Sequence, residues 1–174
     1  MENVIKLIEG NERYVKNGKS QGDFSESRRD ALSAGQKPFA AVLACADSRV
    51  IPEIVFDRGL GDLFVVRCAG NVVGDVELAS LEYAVLHLGV KTVVVLGHTN
   101  CGAVGAAIHG EFEGNIGVIT RKIRKIIGDE KDTLVACKAN VLSGAAYLRA
   151  TLPAEIVPAV YDIKSGKVIF LDRR

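Results

Sequence analysis

Three short apolar runs organise the first half of the chain: Phe39 to Cys45, Leu63 to Cys68 and Thr92 to Leu96. Each is dominated by small or β-branched aliphatic residues and ends at a polar or glycine-bearing break. All three read as strands, and Thr92 to Leu96 has the pattern of a buried one. Between them the spacing turns helical. Leu78, Leu81, Val85 and Leu88 fall on one face of a segment that starts at Asp75, an N-cap type of residue, and stops before Gly89. Met1 to Lys16 carries Val4, Leu7, Ile8 and Val15 at roughly helical spacing, and Glu26 to Ser33 before Gly35 reads as a second, shorter helix. Ile51 to Asp57 allows one or two helical turns with Pro52 near their start. Downstream, Gly102 to His109, the basic amphipathic stretch Val118 to Ile127 and Leu134 to Thr151 read as helices, with a glycine-rich loop from Gly110 to Gly117. Ile156 to Ile163, the turn Lys164-Ser165-Gly166 and Val168 to Leu171 read as an antiparallel hairpin.

Strands alternating with helices predict an α/β fold. The sheet is mainly parallel, flanked by helices, and closed by an antiparallel edge strand 5. With strands 1 and 3 as neighbours the order is 2-1-3-4, and the carboxyl ends of those two strands form a topological switch point, where ligands collect. The 174 residues fit one domain with a helical arm over about residues 1–34. A net charge of +1 gives no electrostatic footprint for nucleic acid or a membrane surface. No apolar run reaches the roughly 18 residues of a membrane span. Met1 to Gly18 mixes acids and bases without a signal-like apolar region, so a cytoplasmic location is expected. In a reducing compartment, Cys45, Cys68, Cys101 and Cys137 are ligands or buried thiols rather than disulfides. The absence of tryptophan makes the core aliphatic.

The chemistry collects at the switch point. Cys45 ends the first strand; His98 and Cys101 follow the third. Two thiolates and an imidazole suit zinc, and three protein ligands leave a fourth position for chemistry. The plainer reading is two buried thiols and a loop histidine. Asp47 and Arg49 sit on the same loop as Cys45. The aspartate would either take the fourth position or pair with Arg49 and stay off the metal, unless the two form an ordinary surface ion pair. Nucleotide and serine-hydrolase readings fail on motif: Gly97 to Gly105 lacks the lysine of a P-loop, the Gly59/Gly61 pair lacks a third glycine, and no Gly-x-Ser-x-Gly elbow occurs.

Cys45-Ala46-Asp47-Ser48-Arg49 and His98-Thr99-Asn100-Cys101-Gly102 resemble the two signatures of the β-class carbonic anhydrases. Gly10-Asn11-Glu12-Arg13-Tyr14, Arg67-Cys68-Ala69-Gly70-Asn71, Ser80 to Val85 and Tyr161 to Gly166 resemble further segments of that family. The resemblance implies zinc-dependent, reversible hydration of carbon dioxide to bicarbonate. Cys45, His98 and Cys101 would be the ligands, and Asp47 and Arg49 a gating dyad. Gln36, Phe64, Tyr83 and the Gly102 N–H would bind substrate. It also implies a homo-oligomer, a dimer or tetramer, in which some pocket groups come from the partner subunit. The complete set points to the plant-like subgroup. Cys68 stands where the family has asparagine and reads as a core thiol, Cys137 as structural and remote from the motifs, and His87 and His109 as surface or satisfied histidines. The segment from Gly110 to Leu152 is short for the family. Two rivals share the ligands: a zinc enzyme acting on another small linear molecule such as carbon disulfide, and a zinc-stabilised module without turnover.

Overall fold

The computed structural model describes residues 1–171. A five-stranded sheet has the order β2-β1-β3-β4-β5. Its strands are β1 (Ala40–Cys45), β2 (Leu63–Cys68), β3 (Thr92–His98), β4 (Glu155–Tyr161) and β5 (Val168–Phe170). The first four are parallel, and β5 runs antiparallel to β4. This is the predicted arrangement. β1 and β3 are buried at every position because both faces of the sheet are covered. On one face Ala41, Leu43, Val93 and Val95 pack beneath α4 (Asp75–Glu82) and α7 (Thr133–Thr151). On the other, Val42, Ala44, Val94 and Leu96 meet Val4 and Leu7 of α1 (Glu2–Asn17) and Val55 of α3 (Pro52–Val55). α2 (Glu26–Leu32) contributes no buried residue. No helix among the described residues is long and apolar enough to cross a membrane.

Two local features differ from the sequence reading. The N-cap of α4 is Gly74 rather than Asp75. Glu77 folds back to accept the Gly74 N–H at 3.0 Å, which fixes the helix start one residue earlier. The helix also does not run unbroken to Leu88. It gives way at Tyr83–His87 to a π turn, in which the Leu88 N–H reaches the Tyr83 carbonyl. Apolar periodicity cannot separate one widened turn from a regular one, since Leu81 and Val85 stay buried either way.

The chain beyond β3 closes over the switch point. α5 (Gly102–His109) starts at Cys101 and packs on α6 (Gly117–Ile127), and α6 packs on α7. Val104, Ile108, Ile123 and Ile127 form a third apolar cluster around Cys45 and Cys101. That cluster walls one side of the candidate site from water.

Candidate metal centre

Cys45 and His98 are the last residues of neighbouring parallel strands, and Cys101 caps the helix that follows β3. Their ligand atoms all lie within 4.8 Å of one another, and all three residues are buried. The two Sγ atoms are 4.0 Å apart. Two thiolates at about 2.3 Å from one tetrahedral zinc would be ~3.8 Å apart, so the pair needs almost no movement to share an ion. His98 is fully buried. Its Nδ1 meets the Thr99 carbonyl at 2.9 Å, which assigns the hydrogen to Nδ1 and leaves the Nε2 lone pair free. That Nε2 has no hydrogen-bond partner. An orphaned imidazole nitrogen facing two thiols is the donor set a zinc ion requires.

The thiols are unequal. The hydrogen bond from Cys101 lowers the Cys45 pKa most. Burial opposes it, and the Gly70 N–H assists. Cys101 is pushed up by that same shared hydrogen and then by burial, against the pull of the Ala103 and Val104 N–H groups at the start of α5.

Asp47 and Arg49 form a bidentate pair: Nε to Oδ1 at 2.9 Å and Nη2 to Oδ2 at 2.7 Å. The Arg49 N–H also donates to Oδ1 at 3.0 Å, and Nη2 reaches the Asn100 carbonyl at 3.3 Å, tying the two loops together. Arg49's hydrogen bonds outweigh desolvation and hold the Asp47 carboxyl well below the usual carboxylate range. Asp47 Oδ2 is 3.9 Å from His98 Nε2.

Several supporting groups surround the ligands, two of them, Arg67 and Gly70, from the Arg67–Asn71 segment that resembles the family. Arg67 donates to the carbonyls of Cys45 (3.1 Å) and Asp47 (2.7 Å), fixing the loop between them. Gly70, at φ 70, turns its N–H onto Cys45 Sγ at 3.2 Å, and buried Asn140 on α7 holds the Gly70 carbonyl at 2.8 Å. Cys137, read from sequence as remote from the motifs, donates to the His98 carbonyl at 3.2 Å. It comes so close because Gly97 has no side chain: a Cβ there would lie 3.0 Å from Cys137 Sγ and 2.4 Å from Val141. Cys68 stays outside the cluster. Its thiol donates to the Val72 carbonyl at 3.1 Å, and burial pushes its pKa up to about 12. Beyond that segment, the one usable sequence signal was Asn140, a poor helix former in the middle of an apolar helix.

Other predicted site residues lie apart from the cluster within one chain. Phe64 pairs with Ala41, four positions before the Cys45–Cys68 pair, or ~13 Å along the strand. Its ring sits 6.2 Å from that of Tyr83, and the two share an exposed depression with Val76 and Ala79 on the side of edge strand β2. Gln36 is exposed in the segment leading into β1, at the opposite end of that strand from Cys45. Gly102 opens α5 directly beside Cys101, with no side chain capping the helix. His87 and His109 are both exposed.

Residues 40–168 match the family described as Carbonic anhydrase. The chain belongs to the β-class carbonic anhydrases. Carbonic anhydrase 2 of Mycobacterium tuberculosis is 52% identical over 110 residues, covering 63% of this chain and 53% of that protein. The chain thus spans about half the length of that relative. A carbonic anhydrase of Synechococcus elongatus is 29% identical over 201 residues, 97% of this chain and 71% of its own. Among solved structures, the β-carbonic anhydrase CcaA superposes with a TM-score of 0.75 at 25% identity, covering 99% of this chain and 89% of that one. One from a study of two tetrameric β-carbonic anhydrases of Sordaria macrospora gives 0.74 at 26% identity, covering 82% and 84%.

Proposed function

We propose that this protein catalyses the reversible hydration of carbon dioxide to bicarbonate and a proton, with one zinc ion per chain held by Cys45, His98 and Cys101. The observation that carries this reading is the buried Cys–His–Cys triangle beside an aspartate clamped by Arg49. Zinc bound there supplies a Lewis acid that makes hydroxide available near neutral pH; carbonic anhydrase is itself the standard example of that chemistry.

The chain's own groups do the rest. Cys45 and Cys101, once both deprotonated, offset the ion's double charge. Asp47 stays ionised and accepts a hydrogen bond from the attacking oxygen, aiming a lone pair at the substrate carbon. Arg49 occupies both carboxylate oxygens and so keeps Asp47 from ligating. That leaves the fourth position open to the attacking oxygen. The Gly102 N–H, at the positive end of α5, steadies the product anion. Gln36, Phe64 and Tyr83 would join the site from a second copy of the chain. The exposed side of β2, where Phe64 and Tyr83 meet, supports that assembly, as does the tetramer named for the Sordaria relatives. A monomer with full activity in sedimentation would contradict it.

The test is stopped-flow hydration by the zinc-loaded protein, with carbon disulfide hydrolysis assayed in parallel. Hydration is expected, with Asp47→Ala and Arg49→Ala retaining zinc and losing at least ~100-fold in rate. Turnover of carbon disulfide alone would favour the rival substrate. Zinc binding with no turnover of either would favour a structural module.

A further inference from the structure

Helix α7 reaches the metal centre with two buried polar side chains about one turn apart. Cys137 donates to the His98 carbonyl, and Asn140, 3% exposed, donates through Nδ2 to the Gly70 carbonyl at 2.8 Å. The other buried residues of the helix that pack inward, Ala136, Val141, Ala145 and Leu148, are apolar. A buried amide among them costs desolvation unless a hydrogen bond offsets it. The role of Asn140 therefore turns on what its partner does.

Gly70 lies in the single turn Ala69–Asn71, at φ 70 and ψ 14. Its two peptide groups face different neighbours. The N–H meets Cys45 Sγ at 3.2 Å, and the carbonyl meets Asn140. The φ and ψ of Gly70 are the only soft rotations between them, so an anchor on the carbonyl limits where the N–H can point. A glycine holds this conformation without a side chain of its own to lock it, and its left-handed region competes with others of similar energy. Asn140 supplies the lock from outside. Deprived of that amide, the carbonyl must find another donor, and the nearest water is in the groove that Asn140 lines between α6 and α7. Turning toward it rotates the peptide chain on either side of Gly70.

We infer, on the reading that Cys45, His98 and Cys101 hold a metal, that Asn140 is a positioning residue of that centre: through Gly70 it keeps an N–H on the Cys45 thiolate and so sets how strongly that sulfur donates to the metal. A hydrogen bond to a metal-bound thiolate fixes its orientation and draws electron density from the sulfur. Two thiolates give a metal ion more charge than imidazoles would. An N–H on one of them offsets part of that donation and leaves the ion a better Lewis acid. Asn140 touches neither ligand nor substrate site directly; it acts two contacts away, from a helix remote in sequence.

The experiment uses cobalt(II) in place of zinc, because the thiolate-to-cobalt charge-transfer band reports sulfur donation. Asn140→Leu, close to asparagine in shape but without a donor, is expected to move that band to longer wavelength. In ¹⁵N-labelled, zinc-loaded protein it should move the Gly70 amide proton upfield, and in a chelator competition it should lower zinc affinity by about tenfold or more. Asn140→Ala carries the same expectations without added bulk and serves where the leucine variant does not fold. The control is Leu148→Ala, a buried truncation about two turns further along α7. It should lower stability while leaving band, amide and affinity at their wild-type values. An unmoved band and amide in a folded Asn140 variant overturn the proposal, and so does an equal shift in Leu148→Ala. A wild-type cobalt protein with no thiolate band overturns the metal reading itself, and the proposal with it. No arm of the test depends on hydration activity.

Discussion

Replacing Gly70 by alanine tests the support beneath Cys45. Gly70 sits at φ 70, where an L-residue costs roughly 1–2 kcal/mol. A Cβ there would also lie 2.8 Å from Ile123 Cδ1 and 3.1 Å from Ala103 Cβ, inside the cluster that packs around the ligands. Relieving that overlap costs a further ~1–3 kcal/mol. Reduced freedom of the unfolded chain returns ~0.4–1 kcal/mol. The net expectation is a loss of about 1–4.5 kcal/mol in urea unfolding of the metal-free protein. Gly89→Ala supplies the control: φ is 74, but a Cβ there meets nothing within 4 Å, so only the backbone cost of roughly 1–2 kcal/mol applies. Relief of the crowding must also shift the Gly70 N–H away from Cys45 Sγ, so zinc affinity in a chelator competition should fall about tenfold or more. The control should keep wild-type affinity. If Gly70→Ala were no less stable than Gly89→Ala and bound zinc as tightly as wild type, the reasoning would be refuted.

Two more outcomes follow from charge. Asp57, nearly buried and at φ 51, accepts from Arg13 Nε at 2.7 Å, Ser20 Oγ at 3.1 Å and the Gln21 N–H at 2.5 Å. Burial alone would raise its pKa, but the Gln21 N–H, Arg13 and Ser20 together lower it. A depressed folded pKa stabilises above the ordinary carboxylate value and loses that contribution as pH falls through the folded one. Asp57→Asn, which tolerates the left-handed backbone, should therefore cost ~2 kcal/mol at neutral pH and progressively less below about pH 4, read by urea melts at several pH values; a constant gap would contradict this. At the cluster, ligation needs both Cys45 and Cys101 as thiolates, so zinc affinity in a chelator competition should weaken as pH falls from about 8 to about 6; an affinity independent of pH would contradict this.

What the sequence disclosed depended on whether a signal was local. β1 and β3 were legible as uninterrupted aliphatic runs, because burial on both faces removes any polar alternation. β3 nonetheless runs two residues further than its aliphatic pattern, since pairing with β4 continues through His98 and Tyr161. His98 is thus a strand residue held rigidly, not part of the loop after it. The triangle of Cys45, His98 and Cys101 was legible from strand ends alone, and Asp47 and Arg49 from their loop. Arg67 was legible only as part of the Arg67–Asn71 resemblance; Asn140 and Cys137 were not legible, because their contacts with the site join residues 39 to 70 positions apart and no local pattern encodes them. Gln36, Phe64 and Tyr83 were named only through family resemblance, and one chain does not bring them to the cluster.

The most direct measurement of the central claim is the zinc K-edge X-ray absorption spectrum of the zinc-loaded protein. Cys45, His98 and Cys101 together predict two sulfurs at about 2.3 Å, one imidazole nitrogen at about 2.0–2.1 Å and one further light donor. Three or four sulfurs, which would recruit Cys68 or Cys137, or a shell of light atoms alone, would contradict the account.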